Sequence, residues 1–222
     1  YDVAINYAGR TEAAQAVAEH VRAAGRRAIT IQADVADTPA IAAMFDRTEA
    51  ALGPVDAFVN NAGIVHGARP LAELTEDEVR RVVDVDLTAA VLAAREAVRR
   101  MSRARGGRGG VIVNTSSIAP RRAADASLLV YGIAKGGIDV LTDQLGREVA
   151  AEGIRVCGVK PGLIATDIHH DIGVGDRLAE LGRTVPMGRV GSAEEVAECI
   201  LWLCSDHAAY VTATSFDVAG GR

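Results

Sequence analysis

Cysteine is scarce. The three in 222 residues, Cys157, Cys199 and Cys204, are an odd number in apolar contexts and read as reduced core thiols rather than a disulfide framework or a zinc site. That usage points to the cytoplasm. Long hydrophobic runs are missing as well: charged residues interrupt every apolar stretch well before the roughly 18 residues that a spanning helix needs. Residues 1–10, YDVAINYAGR, carry neither a basic n-region nor a leader-like apolar run. No stretch of five or more basic residues occurs, and the net charge is −5, which leaves no electrostatic footprint for nucleic acid. The expected partner is therefore a small molecule, with no nucleic acid and no membrane. Repeats, linkers and low-complexity tails are also lacking. What is present, 49% hydrophobic and 24% charged residues, is enough for a large core, and the length reads as a single domain over 1–222.

Short Val- and Ile-rich runs alternate with amphipathic stretches, the pattern of βα units on a doubly wound parallel sheet in three layers, α/β/α. A strand over Val3 to Tyr7 precedes a helix with Ala14, Val17, Ala18 and Val21 on one face, ended by Gly25. Next comes a strand over Ala28 to Ala33, then a helix capped by Thr38 with Pro39 at its first position and Ile41, Phe45, Thr48 and Leu52 along it. The run Val55 to Val59 enters Asn60-Asn61-Ala62-Gly63, just beyond a strand's carboxyl end, where such sheets bind ligands. A capping box, Thr75 to Glu78, opens a long helix reaching about Arg103. The segment Gly106 to Gly110, GGRGG, reads as a flexible surface loop before a strand at Val111 to Asn114. A helix from Tyr131 to Ala151, a strand Ile154 to Val159, a helix capped by Ser192 with Glu195, and a strand Ser215 to Val218 follow. The stretch from about 163 to 190 is too long for a connector and reads as a substrate lid with a short helix of its own.

Tyr131 and Lys135 stand i, i+4 at the start of a helix, so their side chains share a face. A phenol has a reference pKa of about 10, and an ammonium beside it favours the phenolate. Tyr131 is thus a candidate proton exchanger for a substrate hydroxyl or carbonyl. The pair Ser116-Ser117 follows the strand Val111 to Asn114, where a hydroxyl can meet the same oxygen. Taken alone, Tyr-x-x-x-Lys is most often a solvated surface pair.

In combination the motifs say more. Asn60-Asn61-Ala62-Gly63 after one strand, Ser117 after the next, Tyr131-Gly-Ile-Ala-Lys135 on the following helix and Pro161-Gly162 after the strand beyond resemble the short-chain dehydrogenase/reductase family in order and spacing. The resemblance runs through the closing FDVAGGR. It implies a Rossmann-type fold and hydride transfer between a nicotinamide cofactor and an alcohol or carbonyl. Tyr131 would be the general acid/base; Lys135 would lower its pKa and hold the nicotinamide ribose; Ser117 would position the substrate oxygen. Asn60, Ala62 and Gly63 would line the adenosine side, Asp34 and Val35 would meet the adenine, and Pro161, Gly162, Ile164 and Thr166 would frame the nicotinamide. A homotetramer or homodimer built from the long helices and the C-terminal segment is also implied. Members similar to 3-oxoacyl-carrier-protein reductases and to glucose 1-dehydrogenases suit the sequence equally, with Arg177 and Arg183 as polar anchors in the lid.

The chain departs from the family pattern twice. The glycine turn TGxxxGxG is absent, and GGRGG cannot replace it, because it follows a helix and precedes a strand, whereas a pyrophosphate site needs glycines leading into a helix N-terminus. The expectation is that a first strand, glycine turn and helix lie upstream of Tyr1. The second departure is Asp86, where the family places an asparagine that holds a water behind the lysine. Val79, Val82, Val83 and Ala90 flank it at helical spacing, so Asp86 faces inward, where a carboxylate is costly unless hydrogen-bonded or protonated. Either a water-mediated contact with Lys135 or impaired turnover is expected. For the cofactor, Asn6-Tyr7-Ala8-Gly9-Arg10 offers no carboxylate, and Tyr7 with Arg10 suits a 2′-phosphate, so NADP(H) is favoured over NAD(H). His169, His170 and Asp171 have no second cluster and read as substrate- or solvent-facing, so no metal is expected. A binding or regulatory protein that keeps the fold is the alternative; intact Ser117, Tyr131 and Lys135 argue against it.

Overall fold

A computed structural model of the chain describes residues 1–122, 128–168 and 178–222. His169, His170, Asp171 and Arg177 lie outside the described residues. In chain order the elements are β1 (Val3–Tyr7), α1 (Thr11–Ala23), β2 (Ala28–Gln32), α2 (Thr38–Leu52), β3 (Ala57–Asn60), α3 (Glu76–Val83) and α4 (Ala89–Met101). They continue with β4 (Gly110–Thr115), α5 (Ala119–Arg122), α6 (Leu129–Val149), β5 (Ile154–Pro161), β6 (Ile164–Ala165), α7 (Leu178–Gly182), β7 (Gly191–Ser192), α8 (Ala193–Cys204) and β8 (Thr214–Val218). Every strand pairing is parallel. Both capping boxes are present, Thr75 with Glu78 ahead of α3 and Ser192 with Glu195 ahead of α8. The short helix expected within 163–190 is α7.

Strand periodicity builds two covered faces. On β4 and β5, Ile112, Ile154 and Val156 turn to one side and join Phe45, Ala93, Ala97, Met101 and Val149 from α2, α4 and α6. Val111, Val113, Cys157 and Val159 turn to the other side, against Val196 and Leu203 of α8. A parallel strand buried on both faces needs this continuous apolar run.

The parallel α/β architecture is as expected, and the pairings fall into three sheets: β1 with β2, the four-stranded β3-β4-β5-β8, and β6 with β7. A cavity of about 650 Å³ lies between the first two of these, lined by Val3, Asn6, Phe58, Asn60, Ala89 and Cys204 among others. Several local expectations need correction. The helix begun at Thr75 is interrupted by a π turn over Asp84–Thr88. The cap of α2 is Asp37, one residue earlier than Thr38, and Val17 is exposed, leaving Ala14 and Ala18 as the buried residues of α1. Nor is GGRGG a loose surface loop. A Cβ at Gly109 would lie 2.4 Å from the Gly153 carbonyl oxygen and one at Gly110 2.3 Å from that of Asp56. Both glycines have positive φ (82° and 144°), so the segment is a tight turn wedged between neighbouring backbones.

Candidate active site

The carboxyl ends of β3, β4 and β5 all point to one region, and the site is assembled there. Ser117 follows β4 by two residues; its Oγ accepts from the Ala119 N–H at 3.1 Å, which fixes the rotamer. Ser116 donates to the Lys135 carbonyl at 3.0 Å and fastens the start of α6 to the same strand end. Close approach of α6 is possible because Gly137 stands where a Cβ would meet Leu87 Cδ1 at 2.6 Å. Tyr131 and Lys135 therefore lie on one helical face over the strand ends, and the Tyr131 phenol hydrogen-bonds Ser117. The structure brings Ser117, Tyr131 and Lys135 together at this end of the sheet.

Asp86 joins them from the π turn, a distortion that recurs at functional sites. It is buried, as its helical flanks predicted. Its Oδ1 accepts from the Ile64 N–H at 2.8 Å, and Oδ2 lies 3.5 Å from Lys135 Nζ. The two charged groups face each other directly at this distance. Lys135 also donates to the Thr115 carbonyl at 3.1 Å, and its Nζ stands 5.6 Å from the centroid of the Tyr131 ring. Gly63 closes this pocket from the β3 side: a Cβ there would meet Lys135 Nζ at 3.1 Å and Asp86 Oδ2 at 3.2 Å.

The electrostatics overturn one expectation. Lys135 was expected to bring the Tyr131 phenol below its ordinary value, yet the phenol is pushed up to about 12. Burial is the main cause; the hydrogen bond from Ser117 opposes it and the Asp86 charge adds to it. Burial likewise raises Asp86 and lowers Lys135, each held back by the other.

The candidate cofactor residues divide. Asn60 is committed to the framework, donating to the Ala90 carbonyl at 2.9 Å and to Asn114 Oδ1 at 3.1 Å. Asp34 accepts from the Ala36 N–H at 3.0 Å and from Arg81 at 2.8 Å, which holds its carboxyl below the usual range. Val35 and Ala62 line the cavity between the sheets. Tyr7 ends β1 opposite Gln32, and Arg10 is ion-paired with exposed Asp167. Pro161 ends β5; Gly162 fits where a Cβ would meet the Ala219 Cα at 2.8 Å; Ile164 is buried and paired with Gly191; Thr166 is exposed. Sequence reasoning missed Thr115, whose carbonyl carries no residue-type signal, and Asp167, an acidic neighbour of Thr166 whose partner lies 157 positions away.

A hydroxyl and a phenol over parallel strand ends, with a buried lysine behind them, define an α/β oxidoreductase acting on an alcohol or carbonyl. The family model described as enoyl-(acyl carrier protein) reductase matches residues 1–222. The cis-4-hydroxycyclohexanecarboxylate dehydrogenase of Sinomonas cyclohexanicum is 40% identical over 210 residues, covering 95% of this chain and 82% of that protein. The 3-oxoacyl-[acyl-carrier-protein] reductase of Staphylococcus aureus is 35% identical over 222 residues, covering 100% and 87%. Among solved structures, a short chain dehydrogenase from Burkholderia cenocepacia in complex with NADP superposes with a TM-score of 0.88 at 34% identity, covering 99% of this chain and 86% of that one. The chain belongs to the short-chain dehydrogenase/reductase family.

Proposed function

We propose that the protein interconverts a ketone and a secondary alcohol with NADP(H), and that its substrate is a 3-oxoacyl thioester. The observation that carries the reading is the convergence of Ser117, Tyr131 and Lys135. In the direction of reduction, Ser117 and Tyr131 grip the carbonyl oxygen from two sides. Tyr131 then passes its proton to that oxygen as negative charge develops on it. Lys135, anchored by the Thr115 carbonyl, would hold the ribose hydroxyls of the cofactor. The bound nicotinamide supplies the hydride.

Arg10 supports NADP(H), its guanidinium exposed and, among the described residues, ion-paired with an exposed carboxylate that a 2′-phosphate can replace. The NADP-bound relative supports the same choice. The 35% identical reductase favours the thioester substrate, while the 40% identical dehydrogenase favours a second reading, a cyclic hydroxy acid. The unpaired edges of β1 and β3 across the cavity support a further parallel strand carrying a phosphate-binding turn. Exposed Leu129, Ile133 and Val140 on one face of α6 support assembly into a homodimer or homotetramer.

The test pairs binding with turnover. NADPH and NADH binding are followed by nicotinamide fluorescence, and oxidation of NADPH with 3-oxoacyl thioesters and with cyclic keto acids is measured for the protein and for Tyr131→Phe. The reading expects tight NADPH binding by both forms and turnover lower by about 10²- to 10⁴-fold in the variant. Equal turnover by Tyr131→Phe overturns it.

A further inference from the structure

Asp86 and Lys135 form a buried pair directly behind Tyr131. Asp86 Oδ1 is taken by the Ile64 N–H, so Oδ2 has only Lys135, at 3.5 Å. Lys135 in turn has Asp86, the Thr115 carbonyl and the face of the Tyr131 ring. Burial pushes both members toward their neutral forms. Whichever of the two holds the shared proton, the net charge of the pair is zero. A phenol beside a lone ammonium becomes more acidic; a phenol beside a compensated pair feels a dipole and keeps its proton.

We propose that Asp86 is a positioning residue that cancels the Lys135 charge at Tyr131, and so sets the pH at which Tyr131 gives up its proton. The inference rests on the reading of Tyr131 as the group that exchanges a proton with substrate. Among the described residues, the groups facing the trio are few. The loop after β4 presents Ser117, whose hydrogen bond favours the phenolate, and the π turn presents Asp86. Charged residues on the neighbouring elements are held elsewhere: Lys160 of β5 by Asp139 of α6 at 2.9 Å, and Arg121 of α5 by Asp217 of β8 at 2.6 Å. His66, buried beyond Gly63, meets the Gly67 carbonyl through Nδ1 at 2.8 Å.

A Tyr131 that stays protonated makes carbonyl reduction independent of pH across the neutral range. Alcohol oxidation, which needs the phenolate, gains about tenfold for each pH unit and reaches no plateau there.

The experiment replaces Asp86 by Asn, and by Ser as a smaller neutral side chain should the first variant not fold. Phenolate absorbance is titrated for each protein with the matching Tyr131→Phe form subtracted, and the pH profile of alcohol oxidation is measured alongside. The expected result is a Tyr131 midpoint lower by about one pH unit or more in the neutral variant. Oxidation then levels off at correspondingly lower pH and is about tenfold faster at neutrality. A structural role for Asp86 alone would change stability and leave the midpoint in place. An unmoved or raised midpoint in a folded variant overturns the proposal. A lowered midpoint in a protein that turns over no ketone or alcohol supports the charge cancellation and removes the catalytic reading instead.

Discussion

Lys135→Met tests the energetics of the buried pair. The lysine side chain is 5% exposed and that of Asp86 0%, so both charges have left water almost completely. Methionine keeps the length of the aliphatic stem and removes the ammonium. Asp86 is then left with a single donor, the Ile64 N–H. Breaking a buried pair from one side costs about 3–5 kcal/mol. For a chain of this size about 2–4 °C of melting temperature accompany each kcal/mol, so the expected fall is about 6–20 °C. The sign of the pH dependence follows from Asp86. Burial already raises its carboxyl above the ordinary value, with Lys135 opposing, and loss of the ammonium raises it further. A carboxyl whose folded pKa exceeds its unfolded value binds protons on folding. The deficit relative to the parent therefore shrinks as the pH falls from neutrality toward the ordinary carboxylate range. Denaturant titrations at neutral pH and in mild acid measure both quantities, and Lys135→Met combined with Asp86→Asn should recover most of the loss. A deficit under about 1 kcal/mol, a size ordinary for any substitution, refutes the reasoning. So does a deficit that grows in acid.

Two further outcomes follow from the geometry. Gly63→Ala places a Cβ 3.1 Å from Lys135 Nζ and 3.2 Å from Asp86 Oδ2, so the pair must shift. Steady-state kinetics should show kcat lower by about 10- to 100-fold, the cost of a small misplacement in a positioned site. Arg10→Ala removes a cation that a 2′-phosphate would engage, and fluorescence titration should show NADPH binding weakened about 10- to 100-fold with NADH unchanged.

Which features were legible in the sequence depends on the range of the physics behind them. The Thr75–Glu78 and Ser192–Glu195 boxes, the parallel strands and the Tyr131–Lys135 spacing are local, set within a few residues by periodicity and reciprocal hydrogen bonds. The burial of Asp86 was legible for the same reason, since its apolar flanks lie at helical spacing. Its direct meeting with Lys135 was not, because it depends on a π turn that breaks that spacing and on how closely α6 approaches Leu87. The Tyr131 phenol is raised chiefly by burial, which follows from the close packing of α6 on the strand ends, with the Asp86 charge adding a smaller part. A lysine beside a tyrosine predicts a lowered phenol only while the lysine charge is uncompensated, and the compensating carboxylate comes from an element 45 residues upstream of Tyr131 in sequence. The error at GGRGG has a parallel cause: glycine-rich composition signals freedom, whereas here Gly109 and Gly110 admit the backbones of Gly153 and Asp56 from far along the chain.

Side chains from the helices tie the β1-β2 pair to the four-stranded sheet. No ladder joins β1 to β3, yet α2 spans the boundary: Phe45 meets Phe58 of β3 at 5.2 Å between ring centroids, and Ile41 and Phe45 share one core with Ala93 and Ile112. Arg100 of α4 stacks over the Phe45 ring at 5.5 Å and reaches Asp46 and Glu49 of α2 at 2.8 and 2.6 Å. On the far side the Tyr1 hydroxyl donates to the Cys204 carbonyl at 2.6 Å, tying the approach to β1 to the end of α8. Helix packing and a few charge-assisted bonds thus join the β1-β2 pair to the larger sheet. Ser117, Tyr131, Lys135 and Asp86 all belong to β3-β4-β5-β8 and its helices. The proposed catalytic residues therefore all stand on the four-stranded sheet and its helices. Tyr7 and Arg10, the residues proposed for the adenosine end, belong to the β1-β2 pair and the turn after β1.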